Sequence, residues 1–226
     1  MNANAAPIAT VAVPGRVSAW ATDMRLGGGL LFLGGATILM GIITAEALYP
    51  GTFSTGANEI SDLGGTRPPN SVILQPSATI FDVSMALVGM LVITASWFIH
   101  RAYGRRSVTL PAATLGAGAL GVALFPGYTG DPHAILSMVT FVSGGIAAIT
   151  AARVTKAPFR YVSAGLGIIS LAALGSAFVG DATPLSPLGI GGIERWIAYP
   201  IVMWLIAFGG YLCGRADGGH EDQPGT

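Results

Sequence analysis

The chain has 226 residues, of which 52% are hydrophobic and only 10% are charged, and its formal net charge is zero. Soluble domains carry about 25% charged residues, so this balance, with a mean hydropathy of +0.65, indicates a polytopic membrane protein and excludes a strongly basic nucleic-acid binder. The single cysteine, Cys213, excludes an internal disulfide framework.

Six stretches of the chain meet the length and apolarity that a membrane-spanning helix needs, about 20 residues. Residues 1–26 are expected to be a flexible cytoplasmic tail, and residues 214–226 a disordered one. The predicted fold is therefore all-α, a polytopic membrane bundle of six transmembrane helices with an ordered outer loop between the first two. The predicted spans are residues 27–48, 78–99, 107–126, 133–152, 161–180 and 190–213.

The connection between the first two spans, residues 49–77, is long and contains apolar residues that a disordered segment would lack. Long loops are usually functional or disordered, so we expect this one, called the cap loop below, to be ordered on the outer face. If "GANEISDLG" forms a short helix, Asn58, Ser61 and Asp62 share one face. Ile60 and Leu63 then pack beneath them.

Glycine is abundant inside the apolar runs rather than between them. Runs such as "GGGLLFLGG", "GAGALG" and "SGGIAAITAA" follow no predicted strand, so they are not phosphate-binding loops. Small residues let helices approach closely in lipid, and these runs are predicted to be helix-packing surfaces.

Basic residues are distributed unevenly between the two sides of the predicted bundle. Positive charge favours the cytoplasmic side, which predicts a multi-pass protein of the plasma (inner) membrane with both termini in the cytoplasm. Nine of the eleven basic residues lie on that side, Arg16, Arg25, Arg101, Arg105, Arg106, Arg153, Lys156, Arg160 and Arg215, against Arg67 and Arg195 on the outer side. The outer side instead collects the acids Glu46, Glu59, Asp62, Asp82, Asp131, Asp181 and Glu194.

The last span begins with two adjacent charges, Glu194 and Arg195. Neighbouring helical residues point about 100° apart, so the two side chains face different surroundings. The helix dipole favours Glu194, whereas Arg195 needs an acidic partner elsewhere and shares its face with Tyr199. The pair is either part of a functional site or an ion pair that locks the sixth span against the cap loop.

Three further residues lie near the outer ends of spans. Asp82 is about a turn inside the second span, a depth at which an acid is functional by default, although it could instead be an interfacial acid solvated by headgroup water or cap its own helix. His133 opens the fourth span and is suited to act as acid, base or ligand, or only as a hydrogen-bonding group. Glu46 lies at the end of the first span and has the same alternative interpretations as Asp82.

Together these residues define three candidate sets. The catalytic set is Asp82, His133 and Glu194, and the substrate-binding set is Asn58, Ser61, Asp62, Arg195 and Tyr199. A metal-binding set, Glu46, Asp62, Asp82, His133 and Glu194, would suit a hard divalent cation. No zinc-protease, nucleophile-elbow, Walker or dinucleotide-binding motif is present.

Five segments carry a family resemblance: "AEALYPG", "NEISDLG", "PPNSVILQPSATIFD", "ALFPGYTGDPHAILSMVTFVSGG" and "GIERWIAYPIVMWLIAFGGYL". Over residues 27–213 the chain resembles the domain of unknown function 998 family, uncharacterised prokaryotic membrane proteins. The resemblance implies a six-span integral membrane protein and brings no established activity. The family pattern falls on Tyr49, Pro50, Asn58, Ser61, Asp62, Gly64, Phe81, Asp82, Pro126, His133, Glu194, Arg195, Trp196, Tyr199 and Pro200, and Asp82 stands where Asn is expected as often.

Three functions fit these observations. The first is a pocket that binds or acts on a lipid headgroup, as a hydrolase or transferase, with Asp82 or Glu194 as base or metal ligand, His133 as acid–base and Arg195 on phosphate or carboxylate. The second is a structural or binding protein whose polar network fastens the cap loop. The third, a solute or ion transporter, fits less well because the acids lie at one face rather than the midplane. The expected partners are membrane lipids and not nucleic acid; enzymatic activity and oligomeric state stay open.

Overall fold

The structure is a computed structural model in which residues 14–179 and 182–218 are described. Every regular element in those ranges is helical, and six helices are long and apolar enough to cross a membrane. The predicted six-span, all-α fold is confirmed. The helices are α1 Pro14–Ala47, α2 Ser77–Tyr103, α3 Arg106–Leu124, α4 Asp131–Ala151, α5 Phe159–Val179 and α6 Gly189–Gly218.

The first helix begins well before the expected boundary at residue 27. Pro14 is its first residue, a position that proline favours because no backbone N–H is needed there. Residues 14–26 are helical rather than a flexible tail: Met24 is fully buried, and the buried Asp23 pairs with the half-exposed Arg101 at 3.2 Å. The predicted tail residues 1–13 and 219–226 lie outside the described ranges, as does Asp181.

The last helix also runs past its predicted end. It continues to Gly218 instead of stopping at residue 213. Asp217 on this extension pairs with Arg25 of α1 at 2.8 Å, which ties the two terminal helices together.

The six helices form a closed ring. Each helix packs against the next one along the chain, and α6 returns to pack against α1. Across the ring, α4 and α6 touch only lightly. The end of the bundle that carries the cap loop is called the loop face below, and the other end is called the opposite face.

Alternate seams of this ring close on pairs of glycines. A Cβ atom on Gly209 would lie 2.5 Å from the Gly28 carbonyl oxygen, and one on Gly89 would lie 2.7 Å from that of Gly116. Backbones this close exclude any side chain, as expected in lipid, where packing drives helix association. The pairs are Gly28 with Gly209 (α1–α6), Gly89 with Gly116 (α2–α3) and Gly145 with Gly167 (α4–α5).

Helix α5 is fixed to its neighbours by a buried polar chain. The Trp204 indole of α6 donates to the Ser163 hydroxyl at 3.0 Å, and Ser163 donates to the Ala148 carbonyl of α4 at 2.6 Å. Trp204 is fully buried and stacks on Phe208. Three helices are thus joined below the loop face.

Replacing Gly209 with alanine tests the α1–α6 seam. We expect Gly209→Ala to lower the free energy of unfolding in detergent by about 1–3 kcal/mol, the usual cost of overpacking. Gly210→Ala is the matched control, because its Cβ meets nothing within 4 Å, and alanine favours helix there. Equal stability of the two variants would contradict a close glycine seam.

Candidate functional site

The adjacent residues Glu194 and Arg195 hold the cap loop from two sides. The Glu194 carboxylate is 8% exposed and accepts a hydrogen bond from the Ile60 N–H. Arg195 Nη2 pairs with Glu46 of α1 at 2.5 Å, so the acidic partner expected for Arg195 is Glu46. The divergence of neighbouring helical side chains lets one helical turn reach both the loop and α1.

Arg195 also supplies hydrogen bonds to loop backbone. Its Nη1 donates to the carbonyls of Thr55 and Asn58, each at 2.9 Å, and to the Gly191 carbonyl at 2.9 Å. Carbonyls near the membrane need such donors because lipid tails offer none. We call the Arg195–Glu46 pair and these loop bonds the clasp.

The first turn of α6 lies directly against the cap loop. The Gly191 N–H donates to the Gly56 carbonyl at 2.9 Å. A Cβ on Gly191 would overlap the Asn58 carbonyl and lie 2.7 Å from that of Thr55. Glycine at this position therefore lets Arg195 reach the loop backbone.

Two predicted substrate-binding residues are used in folding the cap loop itself. The Asp62 carboxylate accepts from the Glu59 N–H at 3.0 Å and from the Asn58 amide at 3.4 Å. The Asn58 side-chain oxygen accepts from the Ser54 N–H at 3.0 Å. These bonds shape the 3₁₀ turn Ile60–Leu63, whose two apolar end residues are buried as expected.

His133 joins two helices. Its Nδ1 is 2.9 Å from the Phe125 carbonyl at the end of α3, so Nδ1 must carry the proton. Its Nε2 is therefore an acceptor, 3.2 Å from the Ser137 hydroxyl one turn along α4. The ring is 1% exposed. Both nitrogens are engaged, which leaves no free one for acid–base work or for a metal.

Asp82 lies against the end of the cap-loop turn. Its Oδ1 is buried and has no hydrogen-bond partner within the described residues. The Gly64 backbone is adjacent, since a Cβ there would lie 2.6 Å from this oxygen. Asp82 thus contacts the cap loop. Within the described residues it does not make the helix-capping hydrogen bond that its position allowed.

The predicted metal ligands do not come together. Among residues 14–179 and 182–218, no three His, Cys, Asp or Glu side chains are arranged to hold a metal ion. The physical reason is that most of them have separate partners in the fold. Glu46 pairs with Arg195, Asp62 with the Glu59 backbone, His133 with Phe125 and Ser137, and Glu194 with Ile60.

A groove of about 520 Å³ opens at the loop face between α4, α5 and α6. We call it the lipid-facing groove, because its floor continues into exposed apolar residues of these helices such as Phe178. Its polar lining residues, called the rim below, are Glu59, Ser61, Arg67, Ser137, Ser176, Ser186 and Glu194. Its apolar lining residues, called the floor below, include Met138, Phe141, Leu174, Phe178, Ile193 and Ile197.

Two charged residues of this rim were not among the predicted site residues. Arg67 donates to the Glu59 carboxylate at 3.0 Å and is 54% exposed. Burial raises the pKa of Glu59 above its ordinary value, nearby Asp62 raises it further, and Arg67 opposes both. The available sequence signal was that Arg67 is a rare basic residue in an acidic region.

A smaller cavity, of about 80 Å³, lies inside the helix ring beneath the Ile60–Leu63 turn. Its lining is almost wholly apolar and comes from every helix except α5. It shares Ser61, Ser137, Phe141 and Glu194 with the lipid-facing groove. Glu194 therefore lies where the two spaces adjoin.

The predicted substrate-binding residues are consequently divided. Ser61 lines the lipid-facing groove, whereas Arg195 and Tyr199 line a separate groove of about 460 Å³ between α5 and α6. Asn58 and Asp62 stay within the cap loop. These predicted residues all lie at the loop face, but they do not surround a single space.

Comparison with known proteins gives one family. The sequence profile of the family described as "Protein of unknown function (DUF998)" matches residues 6–211, nearly the whole chain. No curated protein and no solved structure matches the chain.

Removing the Arg195 guanidinium tests the clasp. We expect Arg195→Met to lower the free energy of unfolding in detergent by about 3–5 kcal/mol, because it removes the partner of the partly buried Glu46 and the donor to the loop carbonyls of Thr55 and Asn58. Arg67→Met is the matched control: its guanidinium is half-exposed, so its ion pair with Glu59 should contribute about 0–1 kcal/mol. Thermal and chemical unfolding measure both variants, and similar losses would contradict a clasp at Arg195.

Proposed function

We propose that the chain, which belongs to the DUF998 family of proteins of unknown function, is an integral membrane protein that binds a membrane lipid in the lipid-facing groove. The observation that carries the proposal is the pairing of a polar rim with an apolar floor at one end of the bundle. Binding sites typically combine a few polar groups with a mostly apolar lining. A lipid has the same two parts, a polar headgroup and apolar chains.

Access from the bilayer supports a lipid rather than a water-soluble ligand. Phe178 is 73% exposed and Ile190 is 57% exposed beside the groove. In a membrane protein such surfaces face lipid. The groove is lined by α4, α5 and α6, so a lipid chain can lie along these helices while its headgroup stays at the rim.

The bonding of the predicted catalytic residues favours binding over hydrolysis or transfer. Both His133 nitrogens are already engaged, and Glu194 holds the Ile60 N–H. Asp82 has an unpaired oxygen, but it is absent from the lining of the groove. General acid–base catalysis needs a group within hydrogen-bond reach of the reacting atom.

A purely structural role is the second candidate. The observation that favours it is the clasp, in which Arg195 joins α1, α6 and two loop carbonyls. The two functions differ in one measurable respect. A structural protein gains no stability from added lipid headgroups, whereas a lipid-binding protein is stabilised by mass action.

We further propose that the loop face lies on the non-cytoplasmic side of the plasma membrane. Basic residues support this, because they concentrate in cytoplasmic segments. On the described part of the opposite face they are Arg25, Arg101, Arg105, Arg106, Arg153, Lys156, Arg160 and Arg215, and on the loop face they are Arg67 and Arg195.

Cysteine labelling in intact cells checks this orientation. In a Cys213→Ala background, we expect a membrane-impermeant maleimide to label Ser71→Cys in the cap loop. Ser107→Cys at the start of α3 should react only after permeabilisation. Both serines are exposed, which makes them a matched pair. The reverse pattern would place the loop face in the cytoplasm.

Filling the groove tests lipid binding. We expect Ala177→Trp, a substitution in the groove lining, to reduce the lipid retained by the purified protein at least about tenfold, because the indole occupies the space of a chain. The matched control is Ala172→Trp, which is also exposed on α5 but outside the groove. Native mass spectrometry counts bound lipid, and equal retention by both variants would refute the proposal.

A further inference from the structure

We propose that the lipid held in the groove carries a primary ammonium in its headgroup, as a phosphoethanolamine-type lipid does, and that Glu194 receives this ammonium. The inference rests on the proposed function and adds the chemical class of the headgroup. It follows from the charged residues of the rim, from the burial and hydrogen bonding of Glu194, and from the hydroxyl groups that line the groove with it.

The Glu194 carboxylate is buried with too few donors. It is 8% exposed, and within the described part of the chain the Ile60 N–H is the group that hydrogen-bonds to it. An ionised carboxylate offers about four acceptor sites. A buried one stays ionised only with a cation or several donors to offset the loss of water, and otherwise takes up a proton. Glu194 thus has room for a cationic partner.

The protein itself does not supply that cation. The charged side chains that act electrostatically on Glu194 are Glu59, Arg195 and Asp62. Arg195 already donates to Glu46 and to three carbonyls. The groove lining holds two carboxyl side chains, Glu59 and Glu194, and one basic side chain, Arg67, which is already bonded to Glu59. Such a rim attracts a positively charged group.

Two hydroxyl oxygens that line the groove with Glu194 match the hydrogen-bonding needs of a primary ammonium. An ammonium has three N–H donors and no acceptor. Ser137 donates its proton to His133 Nε2, which leaves the lone pairs of its oxygen free to accept. Ser61 is buried, and both serines line the groove with Glu194. His133 thus acts as a positioning residue by fixing the direction of the Ser137 hydroxyl.

The half-exposed Arg67 is suited to contact the phosphate of the headgroup. It lies on the same rim, with its guanidinium on Glu59. A guanidinium also binds phosphate well. A zwitterionic headgroup therefore places its phosphate toward Arg67 at the open edge and its ammonium toward Glu194 at depth. A trimethylated ammonium lacks the N–H donors and cannot satisfy Glu194, Ser61 and Ser137.

Lipid competition tests the headgroup class. Full-length protein, stripped of lipid in detergent, is titrated with dioleoyl phosphatidylethanolamine, phosphatidylcholine and phosphatidylglycerol, and bound lipid is measured by native mass spectrometry. We expect phosphatidylethanolamine to bind at least about tenfold more tightly than the other two, as hydrogen bonds to a charged group imply. Free phosphoethanolamine should bind far more weakly, because it lacks the chains that contact the groove floor.

Variants then identify the residues responsible. We expect Glu194→Gln to remove the preference for phosphatidylethanolamine while binding of phosphatidylglycerol persists, since glutamine still accepts from Ile60. Ser61→Ala is a second variant that tests the inference even when Glu194→Gln fails to fold. It should reduce the preference for phosphatidylethanolamine several-fold with an unchanged melting temperature.

The outcomes separate this inference from the proposed function. Equal binding of the three lipids, abolished by Ala177→Trp, would overturn the headgroup assignment and leave the lipid groove standing. Lipid binding that Ala177→Trp does not alter would overturn the groove itself. If free phosphoethanolamine binds as tightly as phosphatidylethanolamine, the proposal that the bound headgroup belongs to a membrane lipid is overturned.

Discussion

The hydrogen bonds of Arg195 organise the loop face of the bundle. One guanidinium reaches Glu46 on α1, two carbonyls of the cap loop and a carbonyl of its own helix. Irregular backbone close to a membrane needs internal partners because the bilayer provides none, and this side chain provides several at once. With Glu194 holding Ile60 beside it, the cap loop is fixed above the ring. Part of that loop then becomes the rim of the groove.

The groove in turn depends on how unevenly the ring is packed. Glycine pairs bring α1 to α6, α2 to α3 and α4 to α5 at backbone contact. Helix α5 is further held by the Trp204–Ser163–Ala148 chain. Across the ring, α4 and α6 touch only lightly. The groove lies at the loop face between α4, α5 and α6, and apolar side chains of these three helices line it.

The polar residues near the loop face divide into two groups with different physical roles. His133, Asp62 and Asn58 bond to nearby helix ends or loop backbone and so stabilise local structure. Glu59, Arg67 and Glu194 line the groove instead. Both groups are hydrophilic residues at span ends, so composition and position alone do not distinguish them. Only the hydrogen-bond and ion-pair partners of each side chain distinguish the two groups.

The sequence by itself determined the six spans, since the length and apolarity that a bilayer demands are properties of a single segment. It also determined the packing role of the glycine runs and the need of Arg195 for an acidic partner. The start of α1 was missed because residues 14–26 are too polar for a span, yet tertiary contacts of Met24 and Asp23 make them helical. Tertiary structure alone decided that the acidic partner of Arg195 is Glu46 and that both His133 nitrogens are engaged. It also decided that Glu59 and Arg67 line the same groove as Glu194. Those outcomes depend on how each helix is rotated and how deep it lies beside its neighbours, and a span's own sequence specifies neither.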